Sequence, residues 1–416
     1  MKILFFVGEF PKLSQTFILN QITGLIDAGH EVTILAKKSG GAKVHPDVLY
    51  YDLLDHVVYY GDSAQSNSRI RKGCAFVRAF CAHGISRVFN KNVQGQAPLR
   101  ELLAMPNLVL LIRKLNQVDL TDYSVIMAHF GPNGLLAQKC IEMGLLRGKL
   151  FTAFHGYDML RFVKQKGSAA YNDLFRSPSV ILPISEHWRR RCIALGAEPS
   201  KTVVHHMGID LLRFDCHPSQ PAVQLFFVSA ARLVEKKGLQ YAIEAVAQLV
   251  KRGYSVRYAI AGDGPLKDKL QEQIERCKMT RHIQLVGWKT QDEWIKLMKD
   301  AQVVLAPSVT ASDGDMEGIP VQLMEAMAME KLVVATIHSG IPELIQDGEN
   351  GYLVPERDAA SLAQALEKAI KTPEKWKRIT QNARRTIKES FNIQKLNTGL
   401  LQLFKNSLDE PRRNPK

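Results

Sequence analysis

Nowhere in the 416-residue sequence does an apolar run approach the roughly 18 residues that a membrane-spanning helix needs, which argues against a helical membrane protein. The opening MKILFFVGEF also lacks the order of charged, apolar and small residues that marks a cleavable leader, so the sequence predicts a soluble, cytoplasmic chain. Cysteine is scarce. Six residues (Cys74, Cys81, Cys140, Cys192, Cys216 and Cys277) are scattered without a CxxC pair or a zinc-like histidine spacing, and they read as reduced thiols in the core. No GxGxxG follows the first apolar run, which counts against a dinucleotide-dependent dehydrogenase. Acidic residues are too few to balance basic ones, 41 against 55, and the resulting charge of +14 implies an anionic partner. Nucleic acid is a poor candidate for it, because the basic residues accompany no helix-turn-helix, zinc or RNA-recognition pattern and no stacked aromatics.

What the sequence does contain is an alternation of short apolar runs with amphipathic stretches of helical period, the pattern of parallel sheets covered by helices. In the first half, 2–7 reads as a strand, 14–28 as a helix ending at Gly29, and 31–36 as the next strand. Further strands are expected at 124–130, 149–154, 180–184 and 202–206. The pattern pauses at FDCHPSQPA, whose two prolines suit a linker. It resumes with strands at 224–230, 256–261, 283–286, 303–306 and 332–335, and with helices from Leu239, Leu266, Gln291, Pro320 and Ile341. The expected fold is α/β, with two Rossmann-like, doubly wound parallel-sheet domains facing across a cleft. The expected domains are 1–210, with a C-terminal helix at 390–410 packing back on it, and 211–389.

The charge is unevenly placed: nine basic residues and one acidic residue, Glu101, fall within 63–118. There Ile70, Val77, Phe80, Cys81 and Val88 share a helical arc bordered by Arg78 and Arg87. Such a helix suits an anionic membrane surface, and it equally suits docking on its own sheet with solvated arginines.

Two segments could carry chemistry. In Glu317-Gly318-Ile319-Pro320-Val321-Gln322-Leu323-Met324-Glu325, two carboxylates stand eight positions apart across a loop-to-helix junction. Pro320 suits a first helical turn, and the free amides from Val321 onward suit a phosphate. Helix capping and a surface position would explain the same two glutamates. In Ala230-Ala-Arg232-Leu-Val-Glu-Lys-Lys237-Gly238, a strand end opens into a helix, and Arg232 and Lys237 can converge on a diphosphate or stand solvated in a turn. Both segments leave the carboxyl ends of strands in the same expected domain.

AARLVEKKG, AGDGPL, VGW and EGIPVQLMEAMA together resemble the retaining glycosyltransferases of family 4, which have the two-domain GT-B fold. FPKLSQTFI, AHFG, FHGYDM and PSVTASDGDMEGIP are most similar to enzymes of bacterial exopolysaccharide assembly of the colanic acid type. The resemblance implies that Arg232 and Lys237 bind the donor diphosphate, Glu325 the ribose, and Glu317 the donor sugar, with Gly318, Ile319, Pro320 and Val321 beside the phosphates. It implies that His155 lies near the reacting sugar, Gly8 in a loop facing the donor, Gly262 and Gly264 in a turn near the nucleotide, and Gly287 and Trp288 near the base. It further implies a hexosyltransferase using a nucleoside-diphosphate sugar, with UDP-hexose favoured. The acceptor would be a glycan on a polyprenyl diphosphate at the inner face of the membrane, where the protein would be peripheral.

This chain departs from many relatives in having Gly8-Glu9 where they carry paired glycines, and Pro320 where they carry glycine. A lone histidine at a strand end is often structural; family context makes His155 a sugar contact, with His129, His205 and His206 as weaker candidates. Asp313 and Asp315 in SDGD could hold a metal, yet cations and a helix end on the diphosphate make a cofactor unnecessary, and none is expected. With no evident nucleophile on the sugar face, the expected mechanism is same-face displacement with retention. A sugar-nucleotide-binding assembly partner without catalysis, or a basic nucleic-acid-binding protein, is the alternative.

Overall fold

A computed structural model describes residues 1–13, 15–41, 44–61, 105–156 and 158–409. The greater part of the basic 63–118 stretch, including Arg71, Arg78 and Arg87, lies outside the described residues, as do Cys74 and Cys81. Among the described residues, the chain forms two six-stranded sheets in which every pair is parallel. No described helix is long and apolar enough to cross a membrane.

The first sheet contains β1 (Lys2–Phe10), β2 (Glu31–Ser39), β3 (Val57–Tyr59), β4 (Val125–His129), β5 (Lys149–Phe154) and β6 (Val180–Pro183). Its order is β3-β2-β1-β4-β5-β6. The second contains β7 (Leu225–Ala230), β8 (Val256–Ala261), β9 (Ile283–Gly287), β10 (Val303–Ala306), β11 (Leu332–Thr336) and β12 (Tyr352–Val354), in the order β12-β11-β10-β7-β8-β9. In each sheet the order in which the chain adds strands thus reverses between the first and fourth strands, at β1/β4 and at β7/β10. Loops leaving the carboxyl ends of such a pair diverge and open a crevice, the usual ligand position in this architecture.

The chain divides into two compact units: 1–183, 191–205 and 397–416 make one, and 184–190 with 206–396 the other. In the first unit, Phe5, Ile34, Met127 and Phe151 are fully buried in a core that also takes Leu400 and Phe404 from the C-terminal helix Ile393–Asp409. In the second, Ile243, Leu305 and Val334 pack on one sheet face and Val304, Met324 and Val333 on the other. Each such side chain contributes about 1.5–3 kcal/mol by leaving water, which explains why the strand interiors read as continuous apolar runs.

Several expectations are corrected. The edge strands β3 and β12, three residues each, were not among the expected strands. Residues 202–206 form one bridge, Thr202 to Ile181, instead of a strand. The proline-containing stretch after Asp210 is no free connector: Phe214 and Ser219 are buried, and Ser219 Oγ accepts from Leu332 N (3.0 Å) and donates to Gln302 O (2.6 Å). Cys140 and Cys192 are buried free thiols, whereas Cys216 in that stretch is exposed.

Candidate active site

In the second unit, the segments after β7 and β10 come from the two strands that flank the sheet reversal, and side chains stitch them together. Glu235–Lys237 forms a single 3-10 turn. Glu235 accepts from Ser312 N (2.8 Å) and Ser312 Oγ (2.7 Å). Lys236 Nζ donates to Asp315 Oδ1 (3.3 Å) and to Met316 O (3.1 Å). Lys237 pairs with Glu317, each side chain mostly buried. Burial alone would raise the Glu317 pKa, but Lys237 and Lys236 beside it outweigh that and hold it below the usual carboxylate range. Arg232 is exposed; its carbonyl accepts from Val234 N (2.9 Å), and its side chain makes no hydrogen bond or ion pair among the described residues.

The glycines expected near the nucleotide let the turn after β8 pack directly against the backbone after β7. Gly262 has φ +144°, and a Cβ there would fall 1.8 Å from Ala231 O; at Gly264 it would meet the Leu233 backbone at 2.7 Å. Only glycine admits both the backbone angle and the close approach. Gly262 N donates to Gly287 O (2.8 Å), which sets Gly287 beside the same turn. Trp288, next in the chain, is 55% exposed.

Pro320 is the N-cap of helix Val321–Ala328 with ψ 121°, and not its first helical residue as the sequence led us to expect. Proline removes an amide there and offers no side-chain cap, and Leu323 N donates to Pro320 O (3.0 Å), so the helix keeps its positive end at the first turn. Gly318 and Ile319 are buried ahead of it. Within the helix, Gln322 Oε1 accepts from Ala230 N (2.7 Å), tying the helix to the end of β7. Glu325 accepts from Trp294 Nε1 (2.8 Å); burial pushes its pKa up to about 7 despite that bond. Trp294 is positioned by a capping box at the start of helix Gln291–Asp300, where Thr290 Oγ1 accepts from Glu293 N and Glu293 Oε2 accepts from Thr290 N.

Asp315 is engaged by Lys236, and Asp313 Oδ1 accepts from Asp315 N (2.9 Å). Among the described residues, no group of three or more His, Cys, Asp or Glu side chains is arranged to hold a metal.

In the first unit, His155 follows β5. Its Nε2 lies 3.1 Å from His129 Nδ1, and the rings of Phe17 and Phe130 pack at 4.8 and 4.5 Å. Burial and the nearby His205 push its pKa down to about 3, so the imidazole is neutral at working pH. Its Nδ1 is buried without a hydrogen-bond partner. Asp158, which the sequence reading passed over, fixes this turn: its carboxylate accepts from Gly131 N (3.0 Å), His155 N (3.0 Å) and Gly156 N (2.8 Å). Gly8 lies within β1 and not in a loop, because the strand continues to Phe10, paired with Ser39. His205 bonds Gln21 through Nε2, and in the second unit His206 Nδ1 bonds Ile184 O.

The structure holds Arg232, Lys237, Gly262, Gly264, Glu317 and Glu325 in one unit, on the segments that follow β7, β8 and β10. Sequence reasoning missed Gln322, Trp294, Lys236, His338 and Glu356; the Thr290-x-x-Glu293 box was a readable signal for Trp294, while His338 and Glu356 had none.

Comparison with known proteins agrees in family and fold. Residues 14–213 match the family described as Glycosyltransferase Family 4, and 218–386 match Glycosyl transferases group 1. A Salmonella typhimurium protein named as a colanic acid biosynthesis glycosyltransferase, WcaL, is 39% identical over 97% of this chain and 99% of its own length. The Erwinia amylovora amylovoran biosynthesis glycosyltransferase AmsK is 37% identical, covering 88% of this chain and 90% of its own. Among solved structures, Anabaena HepE in complex with UDP matches with a TM-score of 0.73 at 19% identity, over 98% of this chain and 100% of that one. These findings, with the two parallel sheets, show the GT-B fold, and the chain belongs to the group 1, family 4 glycosyltransferases.

Proposed function

We propose that this chain transfers a hexosyl group, with retention, from a nucleoside-diphosphate sugar to an oligosaccharide carried on a polyprenyl diphosphate in exopolysaccharide assembly. One observation carries the reading. Unpaired Arg232, the Lys237–Glu317 pair and the uncapped start of helix Val321–Ala328 all stand on the loops flanking the β7/β10 reversal. Cations and amides suited to a diphosphate are thereby joined to carboxylates suited to sugar hydroxyls. The named roles of WcaL and AmsK support the pathway class, and the structures of HepE with UDP and with UDP-glucose support a UDP-hexose.

Cleavage of the anomeric carbon–oxygen bond places negative charge on the leaving phosphate. Arg232, Lys237 and the helix amides stabilise that charge, the kind of preorganised electrostatics that is usually the largest catalytic contribution. The leaving phosphate oxygen takes the proton of the acceptor hydroxyl as that oxygen bonds to the same face of the sugar. The four residues that perform the reaction are His155, Glu317, Arg232 and Lys237, with Glu325 holding the ribose. Neutral His155 presents Nδ1 to a sugar hydroxyl without introducing charge. No metal takes part. The basic 63–118 stretch brings the protein to the anionic inner face of the membrane, where the acceptor resides.

The test is nucleoside diphosphate release with lipid-extract acceptor, using UDP-glucose, UDP-galactose and GDP-mannose with and without EDTA, for wild type, Glu325→Ala and His155→Ala. Release from a UDP-hexose that persists in EDTA and is lost in both variants is expected. A product of inverted anomeric configuration by NMR, or activity restored only by magnesium, overturns the mechanism. Charge reversal at Arg71, Arg78 and Arg87 should reduce cosedimentation with anionic liposomes while donor binding is unchanged; undiminished sedimentation removes the membrane partner.

A further inference from the structure

Beneath the loop that carries Glu317 lies a buried polar chain that meets the expected donor site only at the Glu317 backbone. His338, just after β11, is 1% exposed. Its Nε2 accepts the backbone N–H of Glu317 (3.0 Å), and its Nδ1 lies 2.5 Å from Glu356 Oε1, just after β12. The other oxygen of Glu356 accepts Thr310 N–H (2.8 Å), and the guanidinium of Arg357 donates to Thr310 O. A backbone amide can only donate, so Nε2 is the acceptor and the proton sits on Nδ1, donated to Glu356. Glu356 is held below the usual carboxylate range: burial works against this, and the bonds from Thr310 and His338 prevail.

The consequence is mechanical. The segment 310–317 is fastened at both ends by one continuous chain: Thr310 to Glu356, Glu356 to His338, His338 to Glu317. Gly340 brings the same turn against the next residues, since a Cβ there would lie 2.9 Å from Ile319 Cγ1. Lys237 grips the Glu317 side chain while His338 grips its backbone, so carboxyl and peptide are each held by a separate partner. We propose that His338 and Glu356 are positioning residues that hold the Glu317 peptide for sugar contact in the transfer reaction, an inference that rests on the donor site assigned above. Neither touches substrate. Both act through Glu317, as outer hydrogen bonds orient a metal ligand.

A ring that merely fills space and a ring that orients Glu317 respond differently to two isosteric amides. Gln at 338 can place an oxygen where Nε2 stands and accept the Glu317 N–H. Asn reaches only the Nδ1 position and keeps only the bond to Glu356. With UDP-hexose donor, His338→Asn should lower kcat about tenfold or more, as expected when a reacting group is displaced by around an ångström, while donor KM moves less than about twofold. His338→Gln should recover most of that loss. Equal kcat for both variants and wild type, or rescue by Asn in preference to Gln, overturns the proposal. So does a kcat loss that merely follows loss of folded protein in thermal melts. A second measurement needs no turnover: long-range ¹⁵N–¹H spectra of histidine-labelled wild type should show His338 as the Nδ1–H tautomer, and an Nε2–H tautomer overturns the chain directly. If wild type binds no nucleotide sugar while the Nδ1–H tautomer is present, the donor-site assignment fails and the fastening of the loop stands.

Discussion

At Glu325 a carboxyl buried among helix and indole groups titrates near neutrality, about 7 against the ordinary 4.5. Because the folded state raises this pKa, its stabilising contribution is complete below pH 4.5 and is lost as pH rises through 7. Ribose hydroxyls donating to the carboxyl favour its charged form, so donor binding near pH 7 should release protons and weaken as pH falls toward 6. Calorimetric titration in buffers of different ionisation enthalpy measures that release, and none at pH 6.5 would contradict the assigned role. Glu317 behaves oppositely, being kept ionised by Lys237. Lys237→Ala leaves that carboxylate buried and unpaired, with a cost of roughly 3 kcal/mol. The double change Lys237→Ala/Glu317→Gln should be more stable than the single one in thermal melts. The sequence displayed both glutamates and both cations, but not that Lys237 and Glu317 neutralise one another; a pair across 80 positions has no local signature.

Helix Gln291–Asp300 connects local code to the site. Its capping box fixes the first turn, and buried Lys331 donates to Lys299 O and Ala301 O (2.9 Å each) at its end, so Trp294 reaches Glu325 from a helix anchored at both termini. Thr290→Ala should cost about 1 kcal/mol of stability and weaken donor affinity as Trp294 loses its fixed place. Affinity unchanged despite the lost stability would detach Trp294 from the site. Elements of this kind were legible where the apolar period was strong: helices beginning at Leu239 and Gln291 start where the pattern places them. Those decided by neighbours were not. Residues 202–206 look like a strand but make one bridge, and Phe214 hides in a stretch that prolines mark as a connector. Pro320 shows the same limit, for its residue type allows a first-turn place and its ψ makes it the cap.

Across the whole molecule, the alternation of apolar runs sufficed to read two doubly wound sheets, because buried parallel strands leave little freedom in composition. The division at 205/206, and the assignment of 184–190 to the second unit, depend on tertiary contacts that no periodicity reports. Every residue assigned to the donor phosphates and sugar, except His155 and Gly8, lies in the second unit. A donor at a hundred times its Kd should therefore stabilise that unit by about 2.7 kcal/mol. Calorimetry with UDP-hexose should show one shifted transition and one unmoved, and a uniform shift of a single transition would indicate that the units unfold together. The C-terminal helix carries a different consequence. Leu400 and Phe404 fill the core of the first unit, with Phe404 stacked edge-on against Phe151 at 4.6 Å and Asn397 Nδ2 bonded to Asn20 O. During synthesis the amino-terminal half must wait until Phe404 has left the ribosome before its interior is sealed, so a chain interrupted ahead of Leu400 leaves its earliest-made part unfinished.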